Sequence, residues 1–93
     1  MLKKLLLLSA SLLAFAALAA VEVNQATEAE LDSVRGLGPA STARILQARN
    51  QGEFKSWADL MARVKGIKPA TAAKLSREGL TVDGAPYAGN HPQ

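Results

Sequence analysis

The sequence has no cysteine, one histidine and only four aromatic residues in a length of 93. Without cysteine the chain forms no disulfide, although export would permit one, and no lipid can be attached through a thiol. His91 has no second ligand at metal-binding spacing. The sequence contains no recognisable Ser-His-Asp set and no glycosylase-like placement of Lys and Asp. We therefore expect no catalytic residues, no metal and no other cofactor.

The first twenty residues, MLKKLLLLSASLLAFAALAA, hold much of the hydrophobic content. Two lysines precede an apolar run that reaches the small residues Ala17 and Ala19, which is the order of a secretory signal peptide. An uncleaved membrane anchor is the alternative, but the run from Leu5 to Val21 is at the lower edge of the length that spans a bilayer. We predict a signal peptide over residues 1–19, cleavage near Ala19, and a periplasmic protein.

The remaining chain is short enough for one small domain, predicted over residues 20–82, and a flexible tail over residues 83–93. So small a core leaves little room for a deep pocket, and we expect no small-molecule substrate. Without Lys3 and Lys4, nine basic residues stand against eight acidic ones, for a net charge of about +1. The charges are nevertheless separated along the chain, because most acids come early and most cations lie on and after two similar glycine-containing segments.

Helix signals predict four helices. Thr27 with Glu30 has the pattern of a capping box for the first helix, and Ser56 with Asp59 caps the third. Each glycine-containing segment ends one helix and is followed by a proline that suits the first turn of the next. We predict Phe54 and Trp57 as core residues rather than base-stacking ones. The other predicted core positions are Leu31, Val34, Ala43, Ile45, Leu46, Leu60, Met61, Val64, Ala73, Leu75 and Leu80.

The strongest signal is an internal repeat, in which VRGLGPASTARIL at residues 34–46 returns as VKGIKPATAAKLS at residues 64–76. A shift of 30 pairs most of the two segments, but before Val64 the offset falls to 29. The third helix therefore carries one extra residue. The repeat predicts an all-α fold in which two copies of helix, glycine turn and helix form one pseudo-symmetric four-helix unit.

An ordinary αα-hairpin explains one copy of the turn. It does not explain why the apolar residue, the Pro-Ala pair and the flanking cation all occur again in the second copy. The alternative is a phosphate site, because glycine lets a polyanion approach the backbone and a helix N-terminus supplies free N–H groups. Leu37 and Ile67 are then expected to point inward and hold the turns in place. Lys68 replaces the second glycine and should distort the second turn if that position needs a positive φ.

The segment GLGPASTARIL and its copy resemble the helix-hairpin-helix motif. The span from residue 21 to 82 further resembles the ComEA-type competence DNA receptors. The resemblance implies a tandem helix-hairpin-helix, (HhH)2, domain whose hairpins lie across the minor groove of double-stranded DNA and hold backbone phosphates without reading sequence. It also implies a role in natural transformation, in which DNA-uptake machinery is a further partner.

The DNA-binding residues that follow from this resemblance are the two turns and the cations beside them: Arg35, Gly36, Leu37, Gly38, Pro39, Ala40, Ser41, Arg44, Lys65, Gly66, Ile67, Lys68, Pro69, Ala70, Thr71 and Lys74. The alternative function is a periplasmic protein-interaction module of the same fold with degenerate hairpins. Both the near-neutral charge and Lys68 favour that alternative.

Overall fold

A computed structural model describes residues 20–89, so the predicted signal peptide and His91 lie outside the described range. Within this range the chain forms four helices, and a short strand before the first helix pairs with another after the last. In chain order these elements are β1 (Val21–Glu22), α1 (Glu28–Asp32), α2 (Pro39–Arg49), α3 (Trp57–Arg63), α4 (Pro69–Arg77) and β2 (Leu80–Thr81). The predicted all-α fold is confirmed. No helix in this part of the chain is long and apolar enough to cross a membrane.

Side-chain caps start α1 and α3 as predicted. The N–H of Glu30 donates to Thr27 Oγ1 at 3.1 Å, and the N–H of Thr27 donates back to Glu30 Oε1 at 2.9 Å. At α3 the N–H of Asp59 donates to Ser56 Oγ at 3.0 Å. These bonds satisfy N–H groups that the first turn of a helix leaves free, and so they fix where each hairpin begins.

The two halves share one core. Ile45 and Leu75, which are equivalent in the repeat, are both fully buried, as are the smaller equivalent residues Thr42 and Ala72. The prediction for Ala43 is wrong, because it is exposed and Thr42 occupies the buried position instead. The buried residues of α2 are Thr42 and Ile45, three positions apart on one face, and Ala43 points away from that face.

The extra residue in the second copy leaves α3 burying the residue equivalent to the one that α1 buries. Leu31 of α1 and Leu60 of α3 are both fully buried at an offset of 29. After them the N–H of Val34 donates to the carbonyl of Leu31, three residues back, whereas the N–H of Val64 donates to that of Leu60, four residues back. The insertion is therefore absorbed as a wider last turn of α3, and the repeat is in register again at Val64.

The two short strands bring the ends of the domain together. The strands β1 and β2 are parallel, with Val21 opposite Leu80 and Glu22 opposite Thr81. Gly79 has φ +105 and follows the end of α4, so that the chain can turn into β2. The first residues of the domain thus form a strand whose partner lies almost sixty residues away, and the pairing closes the four-helix unit.

The packed part of the chain continues past the predicted boundary at residue 82. The indole N–H of Trp57 donates to the carbonyl of Ala85 at 2.9 Å, and the N–H of Tyr87 donates to Ser76 Oγ at 2.9 Å. The rings of Trp57 and Tyr87 lie 5.5 Å apart between centroids. Residues 83–87 therefore cover Trp57 rather than forming a free tail, because a buried indole N–H needs an acceptor.

Candidate nucleic-acid interface

The two glycine turns have the same backbone. Gly36 and Gly66 have φ +101 and +96, in the left-handed region that favours glycine. The next residue in each turn points into the core, with Leu37 exposed by 5% and Ile67 by 2%. These burials confirm the predicted inward placement and fix each turn at the start of the following helix.

Gly38 and Lys68 are the N-cap residues of α2 and α4, and both are extended. Gly38 has φ −87 and ψ 172, and Lys68 has φ −109 and ψ 174. The predicted distortion of the second turn is therefore wrong, because this position needs no positive φ and any residue can occupy it. A Cβ added at Gly38 would meet no atom within 4 Å, so a side chain here points into open space in front of the helix.

Backbone N–H groups converge at each turn. The first bond of α2 runs from the N–H of Thr42 to the carbonyl of Gly38 at 2.9 Å, and that of α4 from Ala72 to Lys68 at 2.8 Å. Neither N-cap residue supplies a side-chain acceptor for the amides before these bonds. The amides of Ala40 and Ser41, and their equivalents in α4, are thus available to an anion at the positive end of the helix dipole.

Exposed cations surround the turns, and two of them cross between the hairpins. Arg35 and Lys65 flank their own turns. Lys74 of α4 instead lies beside the first turn, where a Cβ at Gly36 would be 3.5 Å from its Cε. Arg44 of α2 lies beside the second, where a Cβ at Gly66 would be 3.8 Å from its Nη1.

An open groove of about 570 Å³ runs along the exposed side of α2 towards the second turn. It is lined by Arg44, Gln47, Ala48, Gln51, Arg63 and Lys65. No acidic residue lines this groove, which makes the approach to the second turn attractive to an anion.

Two arginines have structural roles that the sequence did not indicate. Arg63 donates to the carbonyls of Ala48 at 2.7 Å and Gly52 at 2.8 Å and pairs with Asp59 at 3.1 Å. Arg49 donates to the carbonyls of Val23 and Ala26 at 2.9 and 2.8 Å. Both guanidinium groups hold backbone carbonyls from separate segments together, a role that depends on folded geometry rather than on any local pattern.

The family model of the helix-hairpin-helix motif matches residues 17–78, well over half of the chain. The protein therefore belongs to the helix-hairpin-helix family. Membership indicates a domain that binds nucleic acid, double-stranded DNA in general. The comparisons with curated proteins and with solved structures give no match. Residues 20–89 contain no group of three or more His, Cys, Asp or Glu side chains placed to hold a metal ion.

Proposed function

We propose that the protein is an exported, non-catalytic module that binds duplex DNA without sequence preference and assists DNA uptake in natural transformation. One observation carries the binding part of the proposal: the same anion-accepting turn occurs twice in one closed four-helix unit. In both copies exposed helix amides stand beside exposed cations. Two such sites in fixed relation suit a repeating polyanion better than a single small anion.

The proposed contacts go to phosphates, and phosphates carry no sequence information. The sixteen DNA-binding residues named from the sequence supply backbone amides and cations at these two turns, together with the buried residues that hold them. With about two phosphates neutralised at each hairpin, the slope of log K against log salt is about −3.6. Raising salt from about 50 to about 200 mM then weakens binding on the order of a hundredfold.

Titration of the domain from residue 20 onward with labelled duplexes of unrelated sequence tests this binding. Fluorescence anisotropy should give affinities within a few-fold of one another and the steep salt slope. Lys55→Ala is a matched control, because Lys55 is an exposed cation that precedes α3, whereas the second turn follows it. This variant should leave the slope unchanged. A flat salt response would mean that the basic residues do not meet DNA.

A protein-interaction module of the same fold is the second candidate, favoured by the near-neutral charge of the mature chain. Retention on a phosphate-rich matrix separates the two candidates. A DNA-binding module should elute late and in a salt-dependent manner despite a charge of about +1, whereas an interaction module should elute early.

Export has its own test. The order of lysines, apolar run and small residues near Ala19 supports cleavage there. Protein recovered from cells should then begin near Ala20 or Val21 and be released with the periplasm. Intact protein beginning at Met1 and held in the inner membrane would contradict the cleavage, and leave the DNA-binding proposal standing.

A further inference from the structure

Each glycine turn lies against the second helix of the other hairpin. A Cβ at Gly36 would be 3.4 Å from Cδ2 of Leu75, a fully buried residue of α4, and 3.5 Å from Cε of its neighbour Lys74. On the other side of the pseudo-twofold relation, the nearest atom to a Cβ at Gly66 is Nη1 of Arg44, on α2, at 3.8 Å. Arg44 and Lys74 are equivalent in the repeat, so the crossing is reciprocal.

In the described part of the chain, residues 20–89, neither of these two cations makes a side-chain hydrogen bond or an ion pair. Within residues 20–89 the one ion pair joins Arg63 to Asp59. Arg44 and Lys74 are both exposed. The stem of Lys74 passes the glycine with its Cδ 3.6 Å and its Cε 3.5 Å from the position of a Cβ, and its ammonium lies one bond further on. The ammonium beside the first turn thus belongs to a residue of the second hairpin.

We propose that each phosphate site is shared between the hairpins. The amides at the start of α2 and the ammonium of Lys74 hold one phosphate group, and the amides at the start of α4 and the guanidinium of Arg44 hold the other. This inference rests on the proposed DNA binding and assigns each cation to a site. It gives Gly36 and Gly66 a second role, since a side chain there would stand between the turn and the crossing cation.

A double-mutant cycle tests the assignment. Gly38→Asp and Lys68→Asp each place a carboxylate at the mouth of one site. Aspartate is a favourable N-cap residue and both backbones are extended, so the helices should be retained. Lys74→Gln and Arg44→Gln remove the two cations one at a time. Duplex affinity is measured for every single and paired variant at one moderate salt concentration.

In the parent protein each glutamine substitution should weaken binding by about fivefold. In the Gly38→Asp background the Lys74→Gln effect should fall below about twofold, while the Arg44→Gln effect stays near its full size. In the Lys68→Asp background the two effects should exchange. Gly38→Ala is the matched control, because alanine adds neither a charge nor an acceptor for the amides at the start of α2, and it should leave the Lys74→Gln effect largely intact.

The opposite coupling, with Gly38→Asp suppressing the effect of Arg44→Gln, would overturn the crossed assignment and leave DNA binding intact. Additive effects in both backgrounds would overturn it as well. If no variant changes duplex affinity while circular dichroism shows intact helices, the proposed function itself fails. The cycle thus distinguishes a wrong pairing of cations and turns from a wrong partner.

Discussion

The two hairpins differ at the one position where the sequence suggests that the second copy is defective. Gly38 in the first turn and Lys68 in the second have φ values of −87 and −109 and nearly the same ψ. The first glycine of each turn, by contrast, is left-handed in both copies. Only that first glycine is required by the backbone. The backbone at the second glycine position accepts any residue, and in the second turn that residue is the cation Lys68.

The hairpins also differ in charge. The helix α1, which leads into the first turn, exposes Glu28, Glu30 and Asp32. The second turn is flanked by Lys65, Lys68 and the crossing Arg44. The first turn has Arg35 and the crossing Lys74 beside it, but no equivalent of Lys68. We infer that the second hairpin, with one more cation, contributes more of the salt dependence.

The largest difference in stability is expected between two alanine variants of the first turn, one at each of its glycines. Gly36→Ala forces a side chain into φ +101 and brings its Cβ to 3.4 Å from Leu75, so unfolding should become easier by about 1–3 kcal/mol. Gly38→Ala, in an extended backbone with open space, should cost no more than about 0.5 kcal/mol. Urea denaturation measures both, and equal costs would contradict the distinction between the two glycine positions.

Gly38→Val probes the first hairpin's reliance on its backbone. A β-branched side chain would stand where the phosphate approaches the amides of α2, and losing one charge-assisted hydrogen bond weakens binding by about tenfold. Because the lost contact is steric, affinity should fall at every salt concentration with an unchanged slope. Circular dichroism should show the helices retained. A loss confined to low salt would point to charge instead of access.

Much of this architecture could be predicted from local patterns. Local signals act on their immediate neighbours: the capping residues, the glycine that ends each helix and the proline that starts the next. The roles of Thr27, Gly36 and Pro39 could therefore be predicted from the sequence. The repeat then gives the second half from the first. The placement of Leu37 followed from the need to bury the apolar residue between two exposed positions.

The remaining features depend on distant contacts. The pairing of β1 with β2 joins residues almost sixty positions apart, and the acceptor for the indole of Trp57 is the carbonyl of Ala85. The burial of Thr42 in place of Ala43 depends on which face of α2 meets the shared core, and contacts far apart in the sequence decide that face. The crossing of Arg44 and Lys74 is of the same kind, because each residue serves the turn that its own hairpin does not form.

The stability of the domain should depend on pH through the contacts of Glu22 in β1 with residues 81–84, which follow the second hairpin. Burial of the Glu22 carboxylate opposes ionisation, but hydrogen bonds from Gly84 N–H, Thr81 Oγ1, Asp83 N–H and Asn24 N–H outweigh it and hold the pKa of Glu22 below its ordinary value of 4.5. The stabilisation is then fully present above about pH 4.5 and is lost as the pH falls through the lower pKa of the folded state.

Glu22→Gln tests this closure. The amide accepts fewer of the hydrogen bonds, so the variant should be less stable at neutral pH by about 1 kcal/mol. Its deficit relative to the parent should shrink as the pH falls below about 4.5. Chemical denaturation at a series of pH values measures the gap, with Glu53→Gln, an exposed carboxylate, as the control. A deficit that stays constant down to strong acid would show that the carboxylate's charge is not what the turn binds.

The smallest effect, and the most informative about the second hairpin, should come from Lys68→Gly. This change restores the glycine of the first copy and removes one cation while the backbone keeps φ −109, which glycine adopts without strain. If the ammonium touches a phosphate, the salt slope flattens by about 1 and affinity at high salt is nearly unchanged. Lys68→Arg is the matched control and should keep the parent slope. Tighter binding with an unaltered slope would mean that the lysine hinders the turn, and the inference that the second hairpin contributes more of the salt dependence would then be wrong.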